Sequence, residues 1–562
     1  MANSKTGTDL KRPRPFPKGR PTEPQAQEAV EALIGADPRE ADRVLEYLHR
    51  IQDRFGHVSA QHVVALARVL NLAHTEVYEV ASFYDRFDIV KENEEPPPPV
   101  TIQVCDSVAC DMAGAGPLME ALANRLEGEV RVERAPCVGL CAEAPVAVAG
   151  RRQIGHADTE KVVNALQEGQ LEPEVPDYTD YQAYVADGGY RIFREVAAGE
   201  RSSDAVIDEI EAAGLRGLGG AGFPAAIKWR TVRDQPGTAL VAINIDESEP
   251  GTFKDRYYLQ RDPHRFLEGA LIAAHAVGAN GVYLYLRDEY DEGHRILNQE
   301  IAALQADPPA DLPPIQLRRG AGAYICGEES AMVESIEGHR GMPRLRPPLV
   351  AQVGLFGAPT LEQNMETMHW VRDILEQGSD WYKGHGRNGR SGLRTFSVSG
   401  RVQNPGVHQA PAGITLNELI EEHCGGMLPG HQLYGYLVGG ASGGILPASL
   451  ADVPLDFDTL QEHGCFIGSF AIVVLSDHDT ARHAALNAMR FFADESCGKC
   501  TPCRVGTAKA SYLMAEPEWN EELLSELADS MVDASICGLG QAAPNPLNSV
   551  LKYFREELDN GR

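Results

Sequence analysis

The chain has 562 residues, enough for roughly three to five domains with separate cores. A formal net charge of -30 argues against nucleic acid and against anionic membrane surfaces as partners, since both require a basic face. No apolar run reaches the length of a membrane span, and the basic, proline-rich stretch 1–22 lacks the apolar core of a secretory signal. It reads as a disordered tail, and the chain is expected in the cytoplasm, with its eleven cysteines reduced or metal-bound rather than bridged.

Helical periodicity follows over residues 26–34, 41–55, 60–70 and 74–84, which predicts a small helical bundle over 23–92. Pro96 to Pro99, behind an acidic hinge, can only extend and reads as a linker. A strand over 101–105 then ends at Cys105, followed by Cys110, a helix near 117–126, a strand near 130–133, and the turn Cys137-Val-Gly-Leu-Cys141. The spacing is C-x4-C, twenty-six residues, then C-x3-C. Tetrahedral zinc usually takes C-x2-C pairs and fits this spacing poorly. Four thiolates at the ends of two βα units suit a [2Fe–2S] cluster, which needs two ligands per iron.

After the tyrosine-rich segment 174–205 comes Gly214-Leu-Arg-Gly-Leu-Gly-Gly-Ala-Gly-Phe-Pro-Ala-Ala-Ile-Lys228. Gly217, Gly219 and Gly222 spell G-x-G-x-x-G, but a helical pattern over 204–213 precedes them, where the ordinary dinucleotide fingerprint needs a strand. What remains is a glycine loop free to bring its backbone against a flat or anionic ligand, with Gly220 beside Gly219, Phe223 behind it and Lys228 supplying a cation. Apolar segments 239–243, 281–286 and 314–317 alternate with helical stretches 265–277 and 289–304, which predicts a largely parallel α/β sheet with ligands at its loop edge. The first segment runs into Asn244-Ile-Asp-Glu-Ser-Glu249, and the third into Gly320-Ala-Gly-Ala-Tyr-Ile-Cys-Gly-Glu-Glu-Ser330.

From residue 393 the pattern turns β-rich, with strands at 395–399, 436–438 and 470–475 and glycine turns at 439–444, and is expected to carry no chemistry. The helical end holds Ser496-Cys-Gly-Lys-Cys-Thr-Pro-Cys-Arg504, with Cys537 thirty-four residues beyond Cys503. Three closely spaced thiolates, Cys497, Cys500 and Cys503, cup one face of a cube that a distant Cys537 closes, as [4Fe–4S] requires; C-x2-C-x2-C crowds a zinc site. Cys326, Cys424 and Cys465 stand singly and read as small buried residues.

The glycine loop, the Asn244 stretch and the Gly320 turn, in that order, resemble the flavin-binding subunit of NADH dehydrogenases of the respiratory complex I type. Residues 95–172 are similar to the thioredoxin-like small subunit of the same enzymes, so the chain looks like a fusion of two subunits. The resemblance implies a multidomain α/β and α+β architecture: helical bundle, thioredoxin-like [2Fe–2S] domain at 95–172, Rossmann-like FMN and NAD domain at 174–392, ubiquitin-like domain at 393–476 and helical [4Fe–4S] domain at 477–562. It implies FMN and NAD bound by Gly217, Gly219, Gly220, Gly222, Phe223, Lys228, Asn244, Asp246, Glu247, Ser248, Glu249, Tyr324, Gly327, Glu328, Glu329, Asn364 and Thr367. It implies a [2Fe–2S] cluster on Cys105, Cys110, Cys137 and Cys141 and a [4Fe–4S] cluster on Cys497, Cys500, Cys503 and Cys537. Glu329 is expected by the adenosine ribose, favouring NAD over NADP. Thr231 and Leu349 replace aromatics common near the adenine in complex I relatives, which leaves Phe223 to stack there, and Gln363 replaces an asparagine.

Nicotinamides carry two electrons as hydride and iron–sulfur clusters one at a time; a flavin exchanges both. No molybdenum, nickel or quinone signature is present, so a partner subunit must supply the other half-reaction. Leu218, Val353-Gly-Leu-Phe-Gly357, Ser399-Gly-Arg-Val-Gln-Asn-Pro-Gly-Val407 and Ala441-Ser-Gly-Gly-Ile-Leu-Pro-Ala448 look most like the β subunit of metal-dependent, NAD-linked formate dehydrogenase. There the α subunit, with molybdopterin-bound molybdenum or tungsten and further clusters, oxidises formate, and this chain would reduce NAD+. The alternatives are the diaphorase subunit of an NAD-reducing hydrogenase, a fused complex I subunit, or a scaffold without redox chemistry.

Overall fold

A computed structural model of the chain describes residues 20–128 and 130–559; the expectation for residues 1–19 lies outside them. The N-terminal unit holds the four expected helices, Pro24–Ile34, Val44–Phe55, Ala60–Val69 and His74–Ala81. Proline opens the first, where its missing N–H costs nothing. Ser59 caps the third, its Oγ accepting from the His62 N–H at 3.1 Å. Two short parallel strands, β1 (Val58–Ser59) and β2 (Ile89–Val90), close the unit.

The second unit begins with β3 (Thr101–Cys105) and β4 (Arg131–Ala135), which are parallel, and β5 (Ala147–Ala149) and β6 (Arg152–Ile154), in the order β4-β3-β5-β6. Helices Ala115–Arg125 and Thr159–Gln167 lie in the connections. This is the thioredoxin-like fold expected from the sequence, although β5 and β6 are not among the predicted strands. Each spans three residues, too few for an alternating pattern to stand out.

Helix Ser203–Ala213 does precede the glycine loop, ending on Gly214 in the left-handed conformation, and helix Ala225–Arg233 follows it. The loop thus joins two helices and lies outside any strand–turn–helix unit. The central sheet is parallel throughout, in the order β10-β7-β8-β9: β7 (Ala239–Ile245), β8 (Ala279–Leu286), β9 (Ile315–Arg319) and β10 (Thr360–Asn364). The stretch before Asn364, in which Gln363 replaces an asparagine, is this fourth strand, in register with β7 from Thr360 opposite Leu240 to Asn364 opposite Asn244. Its Glu362 and Gln363 are buried, so it lacks the apolar run that marks β7 and β8.

β11 (Leu393–Gly400), β12 (Gly406–Pro411), β13 (Leu433–Val438), β14 (Ile445–Pro447) and β15 (Ala471–Ser476) form a mixed sheet, β12-β11-β15-β13-β14, with helix Leu416–Glu422 in the connection from β12 to β13. β11 pairs parallel to β15 and antiparallel to β12. Helices Ala481–Asp494, Thr501–Met514, Glu521–Ala534 and Asn545–Tyr553 complete the chain. Among the described residues no helix is long and apolar enough to cross a membrane.

Two long helices under the central sheet, Pro263–Val277 and Met365–Gln377, meet at Gly269, where an added Cβ would land on the Met368 carbonyl oxygen. Ordinarily alanine is the better helix residue by about 0.5–1 kcal/mol. Here backbone would have to move, and overpacking costs about 1–3 kcal/mol. Gly269→Ala is therefore expected to lower the melting temperature of the flavin domain by several degrees in calorimetry. A raised melting temperature would show the helices can part freely.

Candidate functional site

The C-terminal ends of β7, β9 and β10 open on one side of the central sheet, the edge at which α/β sheets bind ligands. There the glycine loop, the stretch 244–249 and the turn 324–329 surround a cavity of about 940 Å³. Gly217, Gly219, Gly220, Gly222, Phe223 and Lys228 line it from the loop. Asn244, Asp246, Glu247, Ser248 and Glu249 line it from the end of β7. Tyr324, Gly327, Glu328, Glu329 and Asn364 complete the predicted set.

Thr367 is the exception. It is fully buried and not part of the lining. Its Oγ1 accepts from the Leu218 N–H at 2.9 Å, and its own N–H donates to the Asn364 side chain at 3.3 Å. Thr367 therefore holds the glycine loop from behind. The loop has room for nothing larger at Gly219, whose Cβ would sit 2.9 Å from that of Asn364, while Gly220 (φ +141) faces open space. Both fit close approach of a flat ligand.

Four further features are not legible in the sequence. Lys228 does not stand free beside the loop; its Nζ lies 2.6 Å from Glu362 and 3.6 Å from Glu329. Arg346 pairs with Glu329 at 3.0 Å and with Glu328. Lys254 and Asp255 form part of the floor. The β-rich domain, expected to be without chemistry, contributes Gly439, Ser442 and Gly468 to the wall, and the Ser442 N–H donates to Glu249 at 2.7 Å.

Burial pushes the carboxyls of Asp246 and Glu247 up to about 7 and that of Glu249 up to about 6. Asp246 accepts from the Ser248 hydroxyl at 2.7 Å through one oxygen, and its other oxygen is buried without a partner, as is Nε2 of Gln363 in the same wall. Orphaned polar atoms in a cavity floor are what a heteroaromatic ring with N–H and C=O edges would satisfy. The residues present fit a flavin.

The cysteines converge as two sets. Cys105 at the end of β3, Cys110, Cys137 and Cys141 are all buried, with Cys137 and Cys141 sulfurs 3.2 Å apart. Hydrogen bonds from Cys105 and Cys141 hold the Cys137 thiol well below its usual range. Cys497, Cys500, Cys503 and Cys537 line one small pocket, with Cys500 and Cys537 each at the N-cap of a helix. Ile325 and Leu539 line both this pocket and the large cavity. Four thiols gathered in each set fit the two clusters. Cys326, Cys424 and Cys465 are buried as expected.

Over residues 210–373 the sequence matches the family described as Nuo51 FMN-binding domain. Further matches are to thioredoxin-like [2Fe-2S] ferredoxin over 30–170, SLBB domain over 395–446, and the NADH-ubiquinone oxidoreductase-F iron-sulfur binding region over 483–561. The F 2 subunit of the NADH-quinone oxidoreductase of Rhizobium meliloti is 40% identical over 400 residues, covering 68% of this chain and 95% of that one. The chain belongs to the family of NADH-quinone oxidoreductase flavoproteins. The mitochondrial NADH dehydrogenase [ubiquinone] flavoprotein 1 of Dictyostelium discoideum is 38% identical over 383 residues, 64% of this chain and 79% of the relative. In fold, the chain is similar to a chain of an NAD+-reducing [NiFe]-hydrogenase in the air-oxidized state, with a TM-score of 0.82, 31% identity, and 93% and 94% of the two chains covered. It is thus a flavoprotein of this family joined to a thioredoxin-like [2Fe–2S] domain, with FMN, NADH and both cluster types as its cofactors.

With one two-iron and one four-iron cluster, iron should be about six per chain. Cys500→Ser is expected to bring it to about two and to remove the four-iron EPR signal while the two-iron signal stays. Retention of the four-iron signal in that variant would overturn the ligand set.

Proposed function

We propose that this chain is the NAD+-reducing flavin subunit of a metal-dependent formate dehydrogenase. The observation that carries its general role is the cavity's link to both cysteine sets: Ile325 and Leu539 also line the four-cysteine pocket, and Glu247 is joined through Arg287 to the Cys137 carbonyl. FMN supplies exchange between a hydride pair and single electrons. The chain's own residues bind and orient: Thr367 holds the glycine loop at the Leu218 N–H, and Asn364 in turn accepts from Thr367. Formate as the distal donor is supported by Leu218 and by the runs 353–357, 399–407 and 441–448. A partner carrying a molybdenum or tungsten site would complete the enzyme.

One observation favours a second reading. The hydrogenase chain matches this one nearly end to end, so the same module would serve as the diaphorase half of an NAD-reducing hydrogenase. Co-purification from the source cell and assay of NAD+ reduction separates them. Formate-dependent reduction by the complex, with none by the isolated chain, is expected; hydrogen-dependent reduction without formate turnover would overturn the first reading.

In the proposed NAD site, Glu329 would accept from the ribose hydroxyls and repel a 2′-phosphate. Two unit charges about 4 Å apart repel by about 4 kcal/mol at an effective dielectric near 20. Arg346 and Lys228 beside Glu329 offset much of that charge, so the residual discrimination should be nearer tenfold, about 1.4 kcal/mol. Glu329→Gln, with FMN fully loaded, is expected to raise kcat/KM for NADPH about tenfold and to lower that for NADH only modestly. An unchanged NADH/NADPH ratio would place discrimination elsewhere.

A further inference from the structure

The turn that carries Cys137 is held by three consecutive carbonyls, each with a side-chain donor. Arg287 Nη2 donates to the Cys137 oxygen at 2.6 Å, Gln153 Nε2 to that of Val138 at 2.9 Å, and Arg256 Nη1 to that of Gly139 at 3.3 Å. Gly139 is required there, since a Cβ would land on the Tyr290 hydroxyl. The two arginines belong to the flavin domain, and Arg287 stands immediately after β8. It is 2% exposed, and its other two nitrogens donate on the flavin side. Nη1 donates to the Glu247 carbonyl at 2.5 Å and Nε to the Glu289 carboxylate at 3.0 Å. One buried guanidinium thus spans from the backbone of the Cys137 turn to the backbone of the loop that lines the flavin cavity.

We propose that Arg287 is a positioning residue that fixes the [2Fe–2S] turn to the flavin loop and, through its charge, raises the reduction potential of that cluster. The proposal rests on reading Cys137 as a cluster ligand. A two-iron cluster on four thiolates gains one negative charge when it takes up an electron, and cluster net charge and nearby hydrogen bonds set its potential. A buried cation one residue's backbone away favours the more negative, reduced form, with little solvent screening. Glu289 opposes it by partly neutralising the guanidinium. The fork geometry matters separately. Arginine can hold two carbonyls and a carboxylate at once, which a lysine ammonium on a flexible stem cannot do in the same rigid arrangement.

The test is an EPR-monitored redox titration of the two-iron signal in the full, cofactor-loaded chain, alongside flavin content. Arg287→Gln is expected to disfavour reduction of the cluster about tenfold, a midpoint lower by about 59 mV for a one-electron couple. Glu289→Gln, at a partly exposed carboxylate, should move the midpoint the opposite way. Arg287→Lys keeps the charge and should leave the midpoint near wild type while loosening flavin retention. Opposite shifts in the two glutamine variants are not expected of a merely structural role. Unchanged midpoints in both, or shifts of the same sign, would overturn the proposal. If Arg287→Gln fails to fold, an upward shift in Glu289→Gln supports the charge effect, and no shift overturns it. A wild-type chain without any two-iron signal would instead overturn the ligand reading beneath it, a failure visible before any variant is made.

Discussion

Everything around the cavity depends on one buried cation. Lys254 is 1% exposed, and burial alone would lower its proton affinity. Its Nζ instead lies 2.8 Å from Asp255 and 2.9 Å from Glu366, itself completely buried. These carboxylates, with Glu247, more than offset burial and hold the ammonium above its usual range. Asp255 in turn accepts from Asn364 at 2.6 Å through its other oxygen and donates its N–H to Glu247 at 2.8 Å. One ion cluster therefore ties the end of β10, the helix under the sheet and the loop after β7. Replacing such a group by apolar residues can be neutral, but removing one partner strands a buried charge at about 3–5 kcal/mol. The cluster fixes positions more than it stabilises.

The carboxyls that line the cavity follow the opposite logic, and Glu247, at the edge of the cluster, belongs to both groups. Asp246, Glu247 and Glu249 are raised by burial toward neutrality, so an acidic loop can face an electron-rich ligand without its full negative charge. In the folded chain these groups bind protons that the unfolded chain has released between about pH 4 and pH 7. Through linkage the loop is thus less stable as pH rises through that window, the reverse of a salt-bridged carboxylate. Tyr324 donates its hydroxyl to Glu249, which links this loop to the turn at 324–327 and so to the wall shared with the four-cysteine pocket.

Much of this was legible in the sequence, and the reasons for the rest are physical. Cysteine spacing and glycine loops are local signals, and the structure gathers both sets of four and sixteen of the seventeen predicted cavity residues. Thr367 shares a short motif with Asn364, and no spacing rule tells which of two neighbours points in. β10 escaped because its inward residues are polar rather than apolar: Glu362 pairs with Lys228, and Gln363 faces the cavity with its Nε2 unpartnered. The part played by the β-rich domain was invisible for a different reason. Ser442 meets Glu249 across 193 residues of chain, and only the tertiary fold creates that contact.

The same long-range assembly resolves an apparent conflict between a net charge of -30 and dinucleotide and flavin phosphates as ligands. Arg216, Lys228, Lys254 and Arg346 all line the cavity. None is a free cation: Arg216 pairs with Asp458, Lys228 with Glu362, Lys254 with Asp255 and Arg346 with Glu328. The pairs differ in what an incoming anion can exploit. Lys254 is sealed and surrounded, whereas Arg346 is 44% exposed and Lys228 sits 3.6 Å from Glu329, its looser partner. At exposed Arg346 such a pair is worth little, about 0–1 kcal/mol, so exchanging one carboxylate for a phosphate oxygen costs little there, while the half-buried Lys228 would give up only its longer contact to Glu329. Binding of an anion by an acidic protein then needs no basic surface. It needs cations whose existing partners are easily replaced, placed at the rim, above a floor whose ion pairs are not.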